Sequence, residues 1–212
     1  MTRSILVLPG GGYSRLAPHE GEPVADWLRG LGWASRVVEY PVATRHPAPL
    51  HHVQREIARE RADGATHVGV LGFSAGGHLA GHAALTPNAT PAERPDFAIL
   101  CYPVVSMITP THQGSRTQLL GRHSWPWQRA ATSLERLVRP DSPPMFVWST
   151  TDDASVPIDQ HTYRLGAALA RHGVAHDFHI FDHGGAHGMG LGPGTVTGEA
   201  WTRLAAEWLA KR

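Results

Sequence analysis

Short apolar runs recur along the whole chain and alternate with stretches whose apolar residues fall at helical spacing. The runs are SILVLP, SRVVEYP, HVGVLGF, FAILCYPVV, PMFVWST and HDFHIFD. They are rich in Val, Ile, Leu and Phe, as strands covered on both faces are. Between them, Val24, Trp27, Leu28 and Leu31 mark one amphipathic helix, and Leu50, Val53, Ile57 and Ala58 a second. Leu79, Ala80, Ala83 and Ala84 mark a third. Leu165, Ala168 and Leu169 mark another, closing at Gly173, and Trp201, Leu204, Ala205 and Trp208 mark the last. Strand–helix alternation from end to end predicts an α/β fold, with a mostly parallel central sheet and helices on both faces.

Two regions break the rhythm. TPNATPAERP, residues 86–95, reads as a Pro-rich surface connection. Residues 107–144 read as irregular, and a connection that long is expected to serve as a binding loop or partial lid. No internal repeat and no low-complexity tract is visible. A chain of 212 residues is expected to form one domain, 1–212, with its own core.

Composition narrows the function classes. A net charge of +1 offers no basic field for nucleic acid and no acidic one for a cation-rich partner. The single cysteine, Cys101, rules out an internal disulfide framework and is expected to be a buried thiol. No apolar run approaches the roughly 20 residues of a membrane span, and the apolar start MTRSILVLPGGGY ends too soon for a signal peptide. The expectation is a soluble, cytoplasmic protein with no nucleic-acid or membrane partner; the oligomeric state is not readable.

The most informative segment is VLGFSAGGHLA. A strand runs into Ser74 and a helix starts at once, the context in which G-x-S-x-G marks a nucleophile elbow. Gly72 and Gly76 leave room for a strained turn, and the following helix aims its N-terminal amides at the same place. A serine hydroxyl needs a base, and the base an orienter. In this fold they follow in the order Ser, acid, His. Beyond PMFVWST two carboxylates are offered, Asp152 and Asp153; beyond HDFHIFD two histidines, His183 and His187. The first strand ends in PGGGY, where the amides of Gly11 and Gly12, with that of Ala75, can form an oxyanion hole. No phosphate-loop pattern is present. Four elements in order, each at a strand end, predict a Ser-His-Asp hydrolase that needs no cofactor.

These residues resemble a known family. PGGGY, HEGEPVADWL, EYPVATRHPAPL, GFSAGGHLA, RPDFAILCYPV, GSRTQLLG, PPMFVWSTTDDASVP and HGGAHGMGL are together similar to the α/β-hydrolase esterases of the acetylxylan-esterase type, grouped with bacterial feruloyl and carbohydrate acetyl esterases. The resemblance implies the α/β-hydrolase fold, and the chain is too short for a large cap domain. It also implies that the acid is Asp153, three residues before Val156-Pro157, with Asp152 as fallback. The histidine it implies is His187, in a GGHG-like loop that here carries an additional Ala186. The substrate implied is a small-molecule ester, a short acyl group on a sugar or xylo-oligosaccharide. An amidase or peptidase with the same triad, and a non-catalytic binding protein on the same scaffold, are the alternatives.

Other residues carry weaker expectations. Tyr13 is expected to line the acyl pocket. His78, after the elbow, is expected to pack or hydrogen-bond beneath the site. His179, His183 and His187 recur every four residues, but the segment is a strand broken by Gly184-Gly185, so no metal site is expected. Trp125 and Trp127 are expected to pack in the irregular stretch, with stacking on a sugar ring as the functional alternative.

Overall fold

The computed structural model describes residues 2–108, 110–182 and 187–212. The strands are β1 (Thr2–Leu8), β2 (Ala34–Val37), β3 (Ala65–Phe73), β4 (Phe97–Cys101), β5 (Met145–Thr150) and β6 (His176–Phe181). Each apolar run of the sequence overlaps one of them, with β1, β2 and β3 starting one or two residues before their runs. They form a single sheet in the order β2-β1-β3-β4-β5-β6, with every pair parallel. The helices are α1 (Glu22–Gly30), α2 (Ala48–Ala62), α3 (Ser74–Leu85), α4 (Gln113–Leu120), α5 (Pro126–Ala131), α6 (Thr162–Arg171) and α7 (Val196–Leu209).

Successive side chains on a strand point to opposite faces, and the sheet accordingly divides the core into two layers. Leu6, Leu8, Val68, Val70, Ala98, Leu100, Met145 and Val147 face one layer, covered by α2, α3 and α6 through Leu50, Val53, Ile57, Leu79, Leu165 and Leu169. Ile5, Val7, Leu71, Phe73, Phe97, Ile99, Phe146 and Trp148 face the other, covered by α1 and α7 through Val24, Leu28, Trp201, Ala205 and Trp208. Trp148 stacks on Trp201 at 5.1 Å between ring centroids, so the layer under α7 is aromatic. α3 is buried along its whole length. Its Gly and Ala residues let it sit close to β3 and β4, and a Cβ on Gly81 would press into the Leu134 side chain.

Residues 107–144 differ from the expectation of one long irregular connection. They hold α4, α5 and a 3-10 turn at Leu134–Arg136. α4 shows little apolar periodicity because it buries only Ser115 and Leu119. Its start is set by His112, whose Nδ1 accepts the Ser115 amide at 3.2 Å, a job more often done by Ser, Thr, Asp or Asn. α5 begins with Pro126 at its first turn, and the Gln128 side chain accepts the Trp125 amide at 2.8 Å. Among the described residues, no helix is long and apolar enough to cross a membrane.

The sheet order also positions a site. The chain leaves β1 for β2 on one side and returns to β3 on the other, so the loops after β1 and β3 diverge. In an open parallel sheet the crevice beyond the carboxyl ends at such a reversal is where ligands bind. Leu8 and Gly72 are the last residues paired across β1 and β3 before that crevice.

Candidate active site

The β3–α3 turn is built by its glycines. A Cβ on Gly72 would overlap the Gly76 carbonyl, and a Cβ on Gly76 would overlap the carbonyls of Leu8 and Pro9. Only hydrogen at both positions lets the chain reverse this sharply against β1. Ser74, between them, has a φ of 52°, a left-handed backbone that non-glycine residues rarely adopt. The turn lifts the Ser74 side chain beyond the sheet into the crevice.

After β5 the backbone closes a short turn around Asp153. Its Oδ1 accepts the amides of Ser155 and Val156, each at 2.9 Å. Val156 is buried in the core and anchors the turn. Asp153 is only 4% exposed, whereas Asp152 is exposed. The second oxygen, Oδ2, lies 2.6 Å from His187 Nδ1, and His187 Nε2 lies 2.8 Å from Ser74 Oγ. An ionised carboxylate can only accept, so the Nδ1 proton belongs to the bond with Asp153 and Nε2 is left to accept from the serine hydroxyl. Three residues from the ends of β3, β5 and β6 thus form one hydrogen-bonded series. His183 lies outside the described residues.

The loop after β1 supplies donors. Gly10 N–H is engaged by Glu20 Oε2 at 2.7 Å. The next amides, of Gly11 and Gly12, have no acceptor among the described residues. Gly11 has a φ of 124°, and a Cβ there would overlap the Arg15 carbonyl. Ala75 stands in the first turn of α3, where helix amides lack intrahelical partners. Gly11, Gly12, Ser74 and His187 all line one cleft of about 440 Å³. Its other walls are Ser14, Arg15, Ala17, His19, Glu20, His112, Gly114, Gln118, Ser155 and Gly188, so the largest apolar side chain among them is an alanine.

Tyr13 is a correction. It is fully buried and does not line the cleft; its hydroxyl lies 2.6 Å from His78 Nδ1 beneath the site. The cause is its backbone: a φ of 61° turns the ring inward, edge-on to Tyr40 and His78. His78 Nε2 lies 2.7 Å from the Thr132 carbonyl, so Nε2 carries the proton and Nδ1 accepts from Tyr13. Burial pushes the His78 pKa down to about 4, which keeps the ring neutral. Trp125 and Trp127 differ from the packing expectation too: they are 66% and 67% exposed. Cys101 is a fully buried thiol in β4, and burial raises its pKa. No group of three or more His, Cys, Asp or Glu among the described residues is arranged to hold a metal ion.

Two residues at the site were not singled out from the sequence. Glu20 lines the cleft at 2% exposure, and Tyr102 follows β4 with a φ of 36°. The Tyr102 hydroxyl donates to Glu20 Oε1 at 2.6 Å and accepts the Gly190 amide at 2.8 Å. The Tyr102 ring stands edge-on to His187 at 5.0 Å. HEGEP and CYPV contain these residues, but nothing local separates them from a helix-start acid and a post-strand aromatic.

Comparison with known proteins agrees with this architecture. A family model described as alpha/beta hydrolase fold matches residues 10–188. An acetylxylan esterase of Xylanibacter ruminicola is 35% identical over 204 residues, covering 90% of this chain and 42% of its own length. An endo-1,4-beta-xylanase B of Butyrivibrio fibrisolvens is 31% identical over 206 residues, covering 87% of this chain and 32% of its own. The chain thus spans less than half the length of these curated relatives. Among solved structures, an acetyl ester-xyloside bifunctional hydrolase from Caldicellulosiruptor lactoaceticus superposes with a TM-score of 0.92 at 39% identity, over 100% of this chain and 83% of that one. With the parallel sheet, the glycine-bounded serine turn and this match over most of its length, the chain belongs to the alpha/beta hydrolase fold family.

Proposed function

We propose that the chain is a carboxylic ester hydrolase that removes short acyl groups, acetyl foremost, from hydroxylated alcohols such as sugars and xylo-oligosaccharides. The observation that carries this reading is the series Ser74–His187–Asp153, with contacts of 2.8 and 2.6 Å, in a cleft lined by the Gly11 and Gly12 amides, which have no acceptor among the described residues. The polar cleft walls support a hydroxylated alcohol group, and the absence of a long apolar wall among the described residues supports a short acyl group. The relatives named acetylxylan esterase and acetyl ester-xyloside hydrolase support the same substrate class.

In this mechanism Ser74 Oγ attacks the ester carbonyl carbon while His187 Nε2 takes its proton. Asp153 holds the imidazole tautomer and stabilises the imidazolium that forms. The amides of Gly11, Gly12 and Ala75 bind the oxyanion as it develops; one such donor is worth about 10²–10³ in kcat. The alcohol leaves with the proton of His187. Water then attacks the acyl carbonyl while His187 Nε2 takes its proton, and the acid is released as His187 returns that proton to the departing Ser74 Oγ. The protein groups suffice for each step, and both half-reactions balance in protons.

The test is hydrolysis of p-nitrophenyl acetate, butyrate and octanoate and of acetylated xylo-oligosaccharides, together with fluorophosphonate labelling, with Ser74→Ala as the blank. Acetate release from the oligosaccharides and label on Ser74, both lost in the blank, are expected, with octanoate the poorest aryl ester. Labelling without hydrolysis of any ester would favour an amidase. Neither labelling nor turnover would favour a binding protein.

A further inference from the structure

Glu20 uses its two carboxylate oxygens on two different loops. Oε2 accepts the amide of Gly10, immediately before the glycines of the cleft floor, at 2.7 Å. Oε1 accepts the Tyr102 hydroxyl at 2.6 Å. A phenol has one proton to give and lone pairs to receive with. With its proton committed to the hydrogen bond with Glu20, Tyr102 accepts the Gly190 amide at 2.8 Å, three residues beyond His187. The neighbouring His19 reinforces the link, its Nε2 lying 2.7 Å from the Gly188 carbonyl.

The segment that carries His187 has little regular structure to hold it. Gly188 and Gly190 both have positive φ, 87° and 59°, and neither belongs to a helix or strand. Its position therefore depends on tertiary bonds, and those just named lead to Glu20 and Tyr102. Burying a carboxylate at 2% exposure is costly unless its hydrogen bonds are satisfied. Here they are satisfied by the two loops that must be held at a set distance. The Tyr102 ring, edge-on to His187 at 5.0 Å and to Trp148 at 5.0 Å, wedges the imidazole against the aromatic layer.

We propose that Glu20 and Tyr102 act as one positioning pair that sets His187 against the amides of Gly11 and Gly12, and so governs the chemical step and not substrate capture. The inference rests on the reading of Ser74, His187 and those amides as the catalytic machinery. Burial and the Glu20 carboxylate hold the Tyr102 pKa well above its ordinary value, so the hydroxyl remains a donor across the working range.

Tyr102→Phe keeps the ring and removes only the link. Its expected effect is a fall in kcat on p-nitrophenyl acetate of about ten- to a hundred-fold with KM unchanged, since small misplacements cost that much. The rate of fluorophosphonate labelling at Ser74 should fall by the same factor. In Glu20→Gln one of the two donors meets an amide NH2, so a similar loss is expected. The double variant should lose little more than either single one, as residues acting as a unit do. Ser4→Ala is the control for lost stability alone: it removes a buried hydroxyl bonded to Glu60 at the far end of β1 and should leave kcat intact. Tyr102→Phe and Glu20→Gln that are labelled at the wild-type rate, or that change KM alone, would overturn the inference. Wild-type protein that takes no label would overturn the hydrolase reading itself, and this inference with it.

Discussion

Asp153 gives one carboxylate oxygen to His187 Nδ1, at 2.6 Å, and the other to two main-chain amides of its own turn. The division of labour makes Asp153→Asn informative. The amides of Ser155 and Val156 demand an acceptor, so the asparagine oxygen must stay with them. Its NH2 then faces His187 Nδ1, which must accept, and the proton moves to Nε2, where it cannot take one from Ser74. The expected outcome is a loss of about 10⁴ in kcat with the fold intact. Asp152→Asn, on an exposed side chain, is expected to lose less than about tenfold. Steady-state kinetics with circular dichroism checks both; the reverse ranking would move the acid to Asp152.

The elbow glycines should behave as structural necessities. Gly76→Ala places a methyl group on the carbonyls of Leu8 and Pro9, which belong to the backbone of β1 and its following loop and cannot swing away. A loss of about 3 kcal/mol or more is expected, read from urea unfolding or from failure to accumulate as soluble protein. Gly30→Ala, where a Cβ meets nothing within 4 Å, is the reference and should be harmless.

Tyr13→Phe separates a buried support from a cleft wall. It removes the donor to His78 Nδ1 and leaves that nitrogen buried without a partner. Stability should fall by about 1–3 kcal/mol, seen in the urea midpoint, while the KM ratio of p-nitrophenyl butyrate to acetate stays unchanged. A shifted ratio would return Tyr13 to the acyl pocket.

Buried neutral histidines make stability fall in mild acid. The His78 pKa is lowered to about 4 and that of His161 to about 3, both chiefly by burial. Their unfolded values lie near 6.5, so below that pH the unfolded chain binds protons the folded one refuses. Stability is complete above about pH 6.5 and declines as the pH falls toward the folded values, by about 2 kcal/mol per histidine between pH 6.5 and 5. Urea midpoints measured across this range should show the slope, and His78→Gln should flatten it. An unchanged slope in that variant would mean that His78 is protonated in the folded protein.

The alternation of apolar runs was enough to read the parallel sheet, because strands covered on both faces must be apolar throughout and helices must supply the crossovers. The elbow was legible for a similar reason: its chemistry lies within one strand-turn-helix segment, and Gly72, Ser74 and Gly76 are written side by side. Chain order alone left Asp152 against Asp153 and His183 against His187 open, since either neighbour stands at the right strand end. The resemblance chose Asp153 and His187, and those two side chains meet in the fold. α4 went unread because its apolar stripe is thin and its cap is a histidine.

What the sequence determined by itself was whatever depends on neighbours in the chain: strand and helix periods, a glycine-bounded turn, and the order serine, carboxylate, histidine at successive strand ends. Only the tertiary structure decided where Tyr13 points, and that Tyr102 donates a hydrogen bond to Glu20, 82 residues before it, while accepting one from Gly190, 88 residues further on. Such bonds have no local signature. They exist because the parallel sheet gathers the loops after its strands at one edge, where a buried carboxylate must find donors and takes them from whichever loops arrive.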